Sequence, residues 1–152
     1  MQPAPQNFPR LTSAVVYRDA AKAIDWLCEA FGFELRLKVE DDAGRIIHSE
    51  LTYGEGVIMV AQEASTELRH PWQANLVSPK SMDGKTTQSL MLYVDDADAH
   101  CAHARSSGAT IAEEPRTSDY GEDYWSDRGY CAIDPEGHVW WITQRLRSPA
   151  EK

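Results

Sequence analysis

His48 and Glu50 stand two residues apart. In an extended strand that spacing sets both side chains on one face, the geometry of a general acid-base pair or of two metal ligands. A polar strand edge facing water accounts for the same pair. The segment 119–130 crowds Tyr120, Tyr124, Trp125 and Tyr130 among carboxylates and Arg128. Either these aromatics face a ligand, or they plug a sheet edge while Arg128 pairs with Asp127 or Asp134. His100 and His103, three apart, read as a solvated helix face, and His70 and His138 have no companions. Cys28, Cys101 and Cys131 are odd in number and lack C-x-x-C spacing, which argues against a disulfide framework and a structural zinc site. With no G-x-G-x-x-G, no P-loop and no G-x-S-x-G, nucleotide cofactors and serine hydrolysis lack support, and no cofactor is expected.

The elements that hold these residues follow from periodicity and punctuation. After a Pro-rich tail (1–10), 11–17 reads as a strand, and Asp19 opens a helix with Ala20, Ile24, Leu27 and Phe31 at helical spacing up to Gly32. Three strands follow, at 33–40, 46–53 and 57–61, closing a first βαβββ module over 11–61. A polar linker is expected over 62–87. A second module (88–146) repeats the plan with a strand at 89–94, a helix at 96–106 and strands at 109–114, 129–134 and 138–144, before a tail at 147–152. Laying Tyr17 on Tyr93 also lays Gly32 on Gly108, a constant offset of 76 residues. Runs such as Val57-Ile58-Met59-Val60-Ala61 and Val139-Trp140-Trp141-Ile142 are apolar at consecutive positions, so both strand faces need cover. With two helices to supply it, the expected α+β fold is a curved mixed sheet around a concave, partly apolar pocket.

The chain of 152 residues carries 15 Lys and Arg against 24 Asp and Glu, a net charge of −9, with 42% hydrophobic residues. That composition fits a globular domain and not a disordered chain or coiled coil. Without clustered cations, nucleic acid is excluded as a partner. No run approaches the roughly 18 apolar residues that span a bilayer, so no membrane association is expected, and a cytoplasmic location is.

The run 128–141, Arg-Gly-Tyr-Cys-Ala-Ile-Asp-Pro-Glu-Gly-His-Val-Trp-Trp, with its D-P-x-G turn, together with the duplicated strand-helix entry, resembles the vicinal-oxygen-chelate superfamily of glyoxalases, extradiol dioxygenases and bleomycin-resistance proteins. The resemblance implies a divalent metal held by four side chains, at positions that fall here on Thr12 (or Ser13), Met59, Ser89 (or Gln88) and Trp141. A thioether and an indole do not suit such an ion, so no metal is expected. The resemblance also places the loop before the last hairpin at the pocket mouth, which makes Trp125, Arg128 and Tyr130 ligand contacts beside Thr12, Met59, Ser89 and Trp141. Trp72 in the linker is assigned to a lid or a dimer contact. The expected function is metal-independent binding of a planar or cationic small molecule by a homodimer, as in drug sequestration. The alternative is a lyase, isomerase or dioxygenase whose metal or acid-base centre has moved to His48 and Glu50.

Overall fold

The computed structural model describes residues 1–64, 68 and 70–149. Residues 65–67 and 69 of the expected linker and 150–152 of the expected C-terminal tail lie outside the described residues. The chain divides into two compact units, Met1–Asp83 and Gly84–Lys152.

The first unit holds β1 (Ser13–Tyr17), α1 (Ala20–Phe31), β2 (Glu34–Glu40), β3 (Ile46–Tyr53) and β4 (Gly56–Gln62) in a four-stranded sheet of order β1-β4-β3-β2. β1 and β4 are parallel and the other pairs antiparallel. Asp19 caps α1, its carboxylate accepting from the Lys22 N–H, and Gly32 ends it at φ +80°, a left-handed conformation that glycine adopts without steric cost. Ile24, Leu27 and Phe31 are buried on the helix stripe, against Val15, Tyr17, Leu51 and Val60 from the sheet. The stretch after β4, read as a polar linker, contains two short 3-10 turns, Pro71–Asn75 and Pro79–Ser81. Ser78 and Pro79 are buried, and Ser81 accepts from Arg18 while donating to Glu63, so this segment belongs to the first unit's packing.

The second unit repeats the plan: β5 (Ser89–Tyr93), α2 (Ala97–Ser106), β6 (Thr110–Asp119), β7 (Ser126–Ile133) and β8 (Val139–Arg147), in the order β5-β8-β7-β6. Leu90, Leu92, Tyr130, Ala132, Trp140 and Ile142 form its core with Ala97, Cys101 and Ala104 of α2. The α+β class and the βαβββ plan therefore hold. β6 and β7 are longer than their alternation suggested, reaching Asp119 and starting at Ser126, which leaves only 120–125 as a turn.

Two details tie the modules together. Gln62, at the end of β4, and Gln144, within β8, each accept a hydrogen bond from the first helical N–H, at Ala20 and Ala97 respectively, both at 3.1 Å. These bonds satisfy donors that a helix start leaves open. The helix caps Asp19 and Asp96 are 77 residues apart, so the offset of 76 is corrected at the strand-helix entry. Tyr17 is buried on the helix side and corresponds to Val94, while Tyr93 faces the other way and is 48% exposed. α1 has 12 residues and α2 has 10, but Gly32 directly follows α1 while Gly108 stands two past α2, so the offset is 77 at the caps and 76 at the glycines.

The turns at 41–45 and 134–138 share one construction. In each, an aspartate carboxylate accepts the N–H groups two and four residues on, and a glycine, Gly44 or Gly137, takes positive φ (+76° and +101°) to bring the strands back. No described helix is long and apolar enough to cross a membrane.

Candidate functional site

Strand register decides which side chains share a face. On the helix side of the second sheet, the Tyr130 hydroxyl bonds His100 Nδ1 of α2 at 2.7 Å, and Ile142, in register with Tyr130, lies there too. Side chains alternate along a strand. The opposite face therefore carries Trp141, Thr143 and Arg145 from β8, Met91 and Tyr93 from β5, and Cys131, Gly129 and Asp127 from β7. Met91 pairs with Trp141 and Tyr93 with Thr143. Met91 is 57% exposed and Trp141 40%.

A cationic and aromatic cluster closes one end of that face. Arg145 Nη2 donates to the Tyr93 hydroxyl at 2.7 Å and Nε to the Asp127 carboxylate, and its guanidinium lies 5.4 Å from the ring centres of both Tyr93 and Trp125. Trp125 also meets Tyr120 and Tyr124. These bonds to Asp127 and Tyr93 hold the Arg145 pKa above its ordinary value. Beyond the cluster, an open depression of about 620 Å³ is lined by Asp119, Gly121, Glu122, Arg147 and Ser148. Its one cation, Arg147, is spent on the Asp119 carboxylate and on the Gly121, Glu122 and Tyr124 carbonyls, as a clamp on the 120–125 turn.

Arg128 and Tyr130, expected at a pocket mouth, instead sit on the helix side of the second sheet. Arg128 is bonded bidentately to Asp98 of α2, with Nη2 to Oδ1 at 2.7 Å, and so pairs with neither Asp127 nor Asp134. The guanidinium keeps the Asp98 carboxyl below its ordinary range. Tyr130 is 2% exposed. The cause is alternation: Tyr130, already inside the expected strand 129–134, shares the parity of Ala132, which faces the core, and the start of β7 at Ser126 brings Arg128 onto the same side. Trp125 is 36% exposed, against the Arg145 guanidinium. Met91, Tyr93, Arg145 and Asp127 were missed, although counting by twos from Trp141 through Thr143 to Arg145 picks out the face.

On the first sheet, β1–β4 register sets Ala14 beside Met59, on the side away from Val15 and Val60. Ser49 Oγ donates to the Val60 carbonyl at 2.6 Å and accepts its N–H at 3.1 Å. Carrying the β3–β4 register one step beyond the Leu51–Ile58 pair puts Glu50 next to Met59, and Leu37 pairs with Glu50 from β2. His48 and Glu50 do come together, Nε2 to Oε1 at 3.1 Å. Arg36, the bulged residue of β2, holds the other oxygen at 2.7 to 2.8 Å, donates to the Asn7 carbonyl and lies over the Phe8 ring. Hydrogen bonds from His48 and Arg36 push the Glu50 pKa below its ordinary value, so this carboxylate is a weakened proton acceptor.

The four positions matched to metal ligands keep their equivalence, since Thr12 and Ser89 are 77 apart like the helix caps, and Met59 and Trp141 each stand three before the capping glutamine. Thr12 donates its hydroxyl to the Val57 carbonyl, and Ser89 lies exposed at the start of β5 on the Met91 face. One thioether, one indole and two hydroxyls do not make the oxygen and imidazole set that a hard or borderline divalent ion needs. Among the described residues, no three His, Cys, Asp or Glu side chains gather as a metal site. Burial pushes the Cys131 thiol, beside Trp141, and the Cys101 thiol above their ordinary pKa, so neither is an activated nucleophile.

Comparison with known proteins agrees with this duplicated framework. An uncharacterized protein of Mycobacterium tuberculosis strain H37Rv is 29% identical over 139 residues, covering 91% of this chain and 76% of that one. The crystal structure of TioX from Micromonospora sp. ML1 matches with a TM-score of 0.65 at 27% identity, over 91% of this chain and 99% of TioX. TnmS3, an antibiotic binding protein from Streptomyces sp. CB03234, shares the fold with a TM-score of 0.62 at 23% identity, over 88% of this chain and 93% of its own. Residues 10–142 match the family model described as Glyoxalase/Bleomycin resistance protein/Dioxygenase superfamily, and with two helix-backed modules built by the same caps and turns, the chain belongs to that superfamily.

Proposed function

We propose that the protein binds a planar or cationic small molecule on the open face of its second sheet, by contact and without a metal. The observation that carries this reading is the in-register pair Met91 and Trp141, both accessible, at the place where the family resemblance asks for a metal ligand. A flat indole beside a polarizable thioether offers stacking and sulfur–aromatic contacts of about 0.5 to 1.5 kcal/mol each, beyond the area they bury. The description of the fold neighbour TnmS3 as an antibiotic binding protein is in keeping with a sequestering role. The proposal extends to a cytoplasmic homodimer that completes its binding cups across the subunit interface.

The test is equilibrium binding of a panel of planar aromatic compounds to wild type and Trp141→Ala. Loss of affinity of tenfold or more, with an unchanged circular dichroism spectrum, supports the site; equal affinity in both proteins removes it. Turnover at His48 and Glu50 is the second reading, favoured by their 3.1 Å contact. It requires His48→Ala to abolish product formation while leaving binding intact. The Arg36 clamp on Glu50 ranks it below binding.

A further inference from the structure

We infer that the guest of the Trp141 face is a planar aromatic carrying hydrogen-bond acceptor oxygens at one end, and not a cation. This deepens the binding reading above and rests on it.

At its polar end, which a guest stacked on Trp141 would reach, the face offers a cation three attractive features: the Tyr93 ring, the Trp125 ring and the Asp127 carboxylate. Arg145 already uses all three, lying 5.4 Å from each ring centre and donating its Nε to Asp127. An incoming ammonium would have to displace a guanidinium tethered in place, and would meet its charge if it did not. What Arg145 leaves over is donor capacity. A guanidinium has five N–H groups, and Nε and one Nη2 hydrogen account for the bonds to Asp127 and Tyr93. The Tyr93 oxygen accepts from Arg145, so its own hydrogen remains to be donated, polarised by the cation behind it.

Between the apolar and polar ends, Gly129 raises no side chain and Thr143 is only 8% exposed. Gly129 and Thr143 are in register there, and a Cβ on Gly129 would come within 3.0 Å of the Ile142 carbonyl and 3.3 Å of Thr143 Oγ1. Met91 and Trp141 stand on one side of this pair and Asp127 and Arg145 on the other. A ring resting against Trp141 thus points its far edge at Arg145 and Tyr93. Charge-assisted donors of this kind favour carboxylate, phenolate or carbonyl oxygen.

The test uses four probes of one shape: naphthalene, 2-acetylnaphthalene, 2-naphthoate and 2-naphthylmethylammonium, titrated calorimetrically into wild type, Trp141→Ala, Arg145→Met and Tyr93→Phe. Expected affinities run naphthoate, acetylnaphthalene, naphthalene, ammonium. Arg145→Met should weaken naphthoate about tenfold or more and Tyr93→Phe severalfold, both leaving naphthalene within twofold. If the ammonium binds as tightly as naphthoate, or if both variants keep the wild-type order, the acceptor preference is overturned while the site stands. If no probe binds, or Trp141→Ala binds all four like wild type, the site itself falls and the inference with it. Tyr93→Phe removes one oxygen from an exposed side chain, so it reports even where Arg145→Met fails to fold.

Discussion

Trp141 faces outward only because Trp140 is held inward, and that anchor can be cut one bond at a time. Asp134 is 4% exposed, and its carboxylate accepts from the Glu136 and His138 N–H groups at 3.0 Å each and from Trp140 Nε1 at 3.1 Å. In Asp134→Asn, the side-chain oxygen can keep both turn bonds, but an amide N–H2 then confronts the indole N–H, donor against donor. Trp140 is 1% exposed, so its N–H finds no water in compensation. Losing a hydrogen bond to a charged group and stranding a buried donor costs about 2 to 3 kcal/mol. Trp140→Phe deletes the N–H, and on that background Asp134→Asn should cost at least about 1.5 kcal/mol less, a coupling a double-mutant cycle reads directly. Urea denaturation followed by far-ultraviolet circular dichroism measures all four proteins. A single-mutant cost under about 0.5 kcal/mol, or the same cost on both backgrounds, would refute the anchor and with it this account of why Trp141 is presented.

Ser49 is 1% exposed and bonds both backbone groups of Val60, so Ser49→Ala should cost about 2 to 3 kcal/mol in chemical denaturation. Gln62→Leu and Gln144→Leu each remove an acceptor from a helix start and should lower stability by about 1 kcal/mol, measured as a shift of the urea midpoint. The Glu50 carboxyl is depressed in the folded state by His48 and Arg36, so its contribution is complete above the ordinary value of 4.5 and is lost as the pH falls through the lower folded value. Arg36→Met should therefore flatten the loss of stability between pH 5 and the acid limit, read from urea midpoints at several pH values; an unaltered pH profile would contradict the clamp.

Much of the framework was legible because it depends on local chemistry. Asp19 as a helix cap, Gly32 as a helix stop and the Asp-Pro-Glu-Gly turn each follow from what one or two residues can do with neighbouring backbone. The site was half legible. Met59 and Trp141 were singled out by position, while Arg128 and Tyr130 were assigned by resemblance to a pocket mouth although Tyr130 already lay in the expected strand 129–134 with the parity of buried Ala132, and only Arg128 depended on β7 starting at Ser126. The Arg145 cluster draws Tyr93, Trp125 and Asp127 together from 52, 20 and 18 residues away in sequence, a convergence that no spacing rule encodes. The same holds for Arg36, which reaches Asn7 and Glu50 from a bulge that alternation does not announce.

The two modules meet the demands of folding with the same devices, an aspartate cap, a glutamine on the first helical N–H and a glycine at positive φ beyond the helix. They part company on the face turned away from the helix. Across the first sheet that face reads Ala14, Met59, Glu50, Leu37; across the second it reads Met91, Trp141, Cys131, Glu113. None of these side chains caps a helix or pins a turn, although Glu50 is clamped by Arg36 and His48 and Cys131 is buried. Single exposed apolar residues need no explanation, but Met91, Tyr93 and Trp141 lie together on adjoining strands at 57, 48 and 40% exposure. Leaving that surface wet forgoes about 25 cal/mol for every Å² that a partner would cover. On the proposed reading a planar guest covers that surface, and the donors of Arg145 and Tyr93 at its edge select the guest.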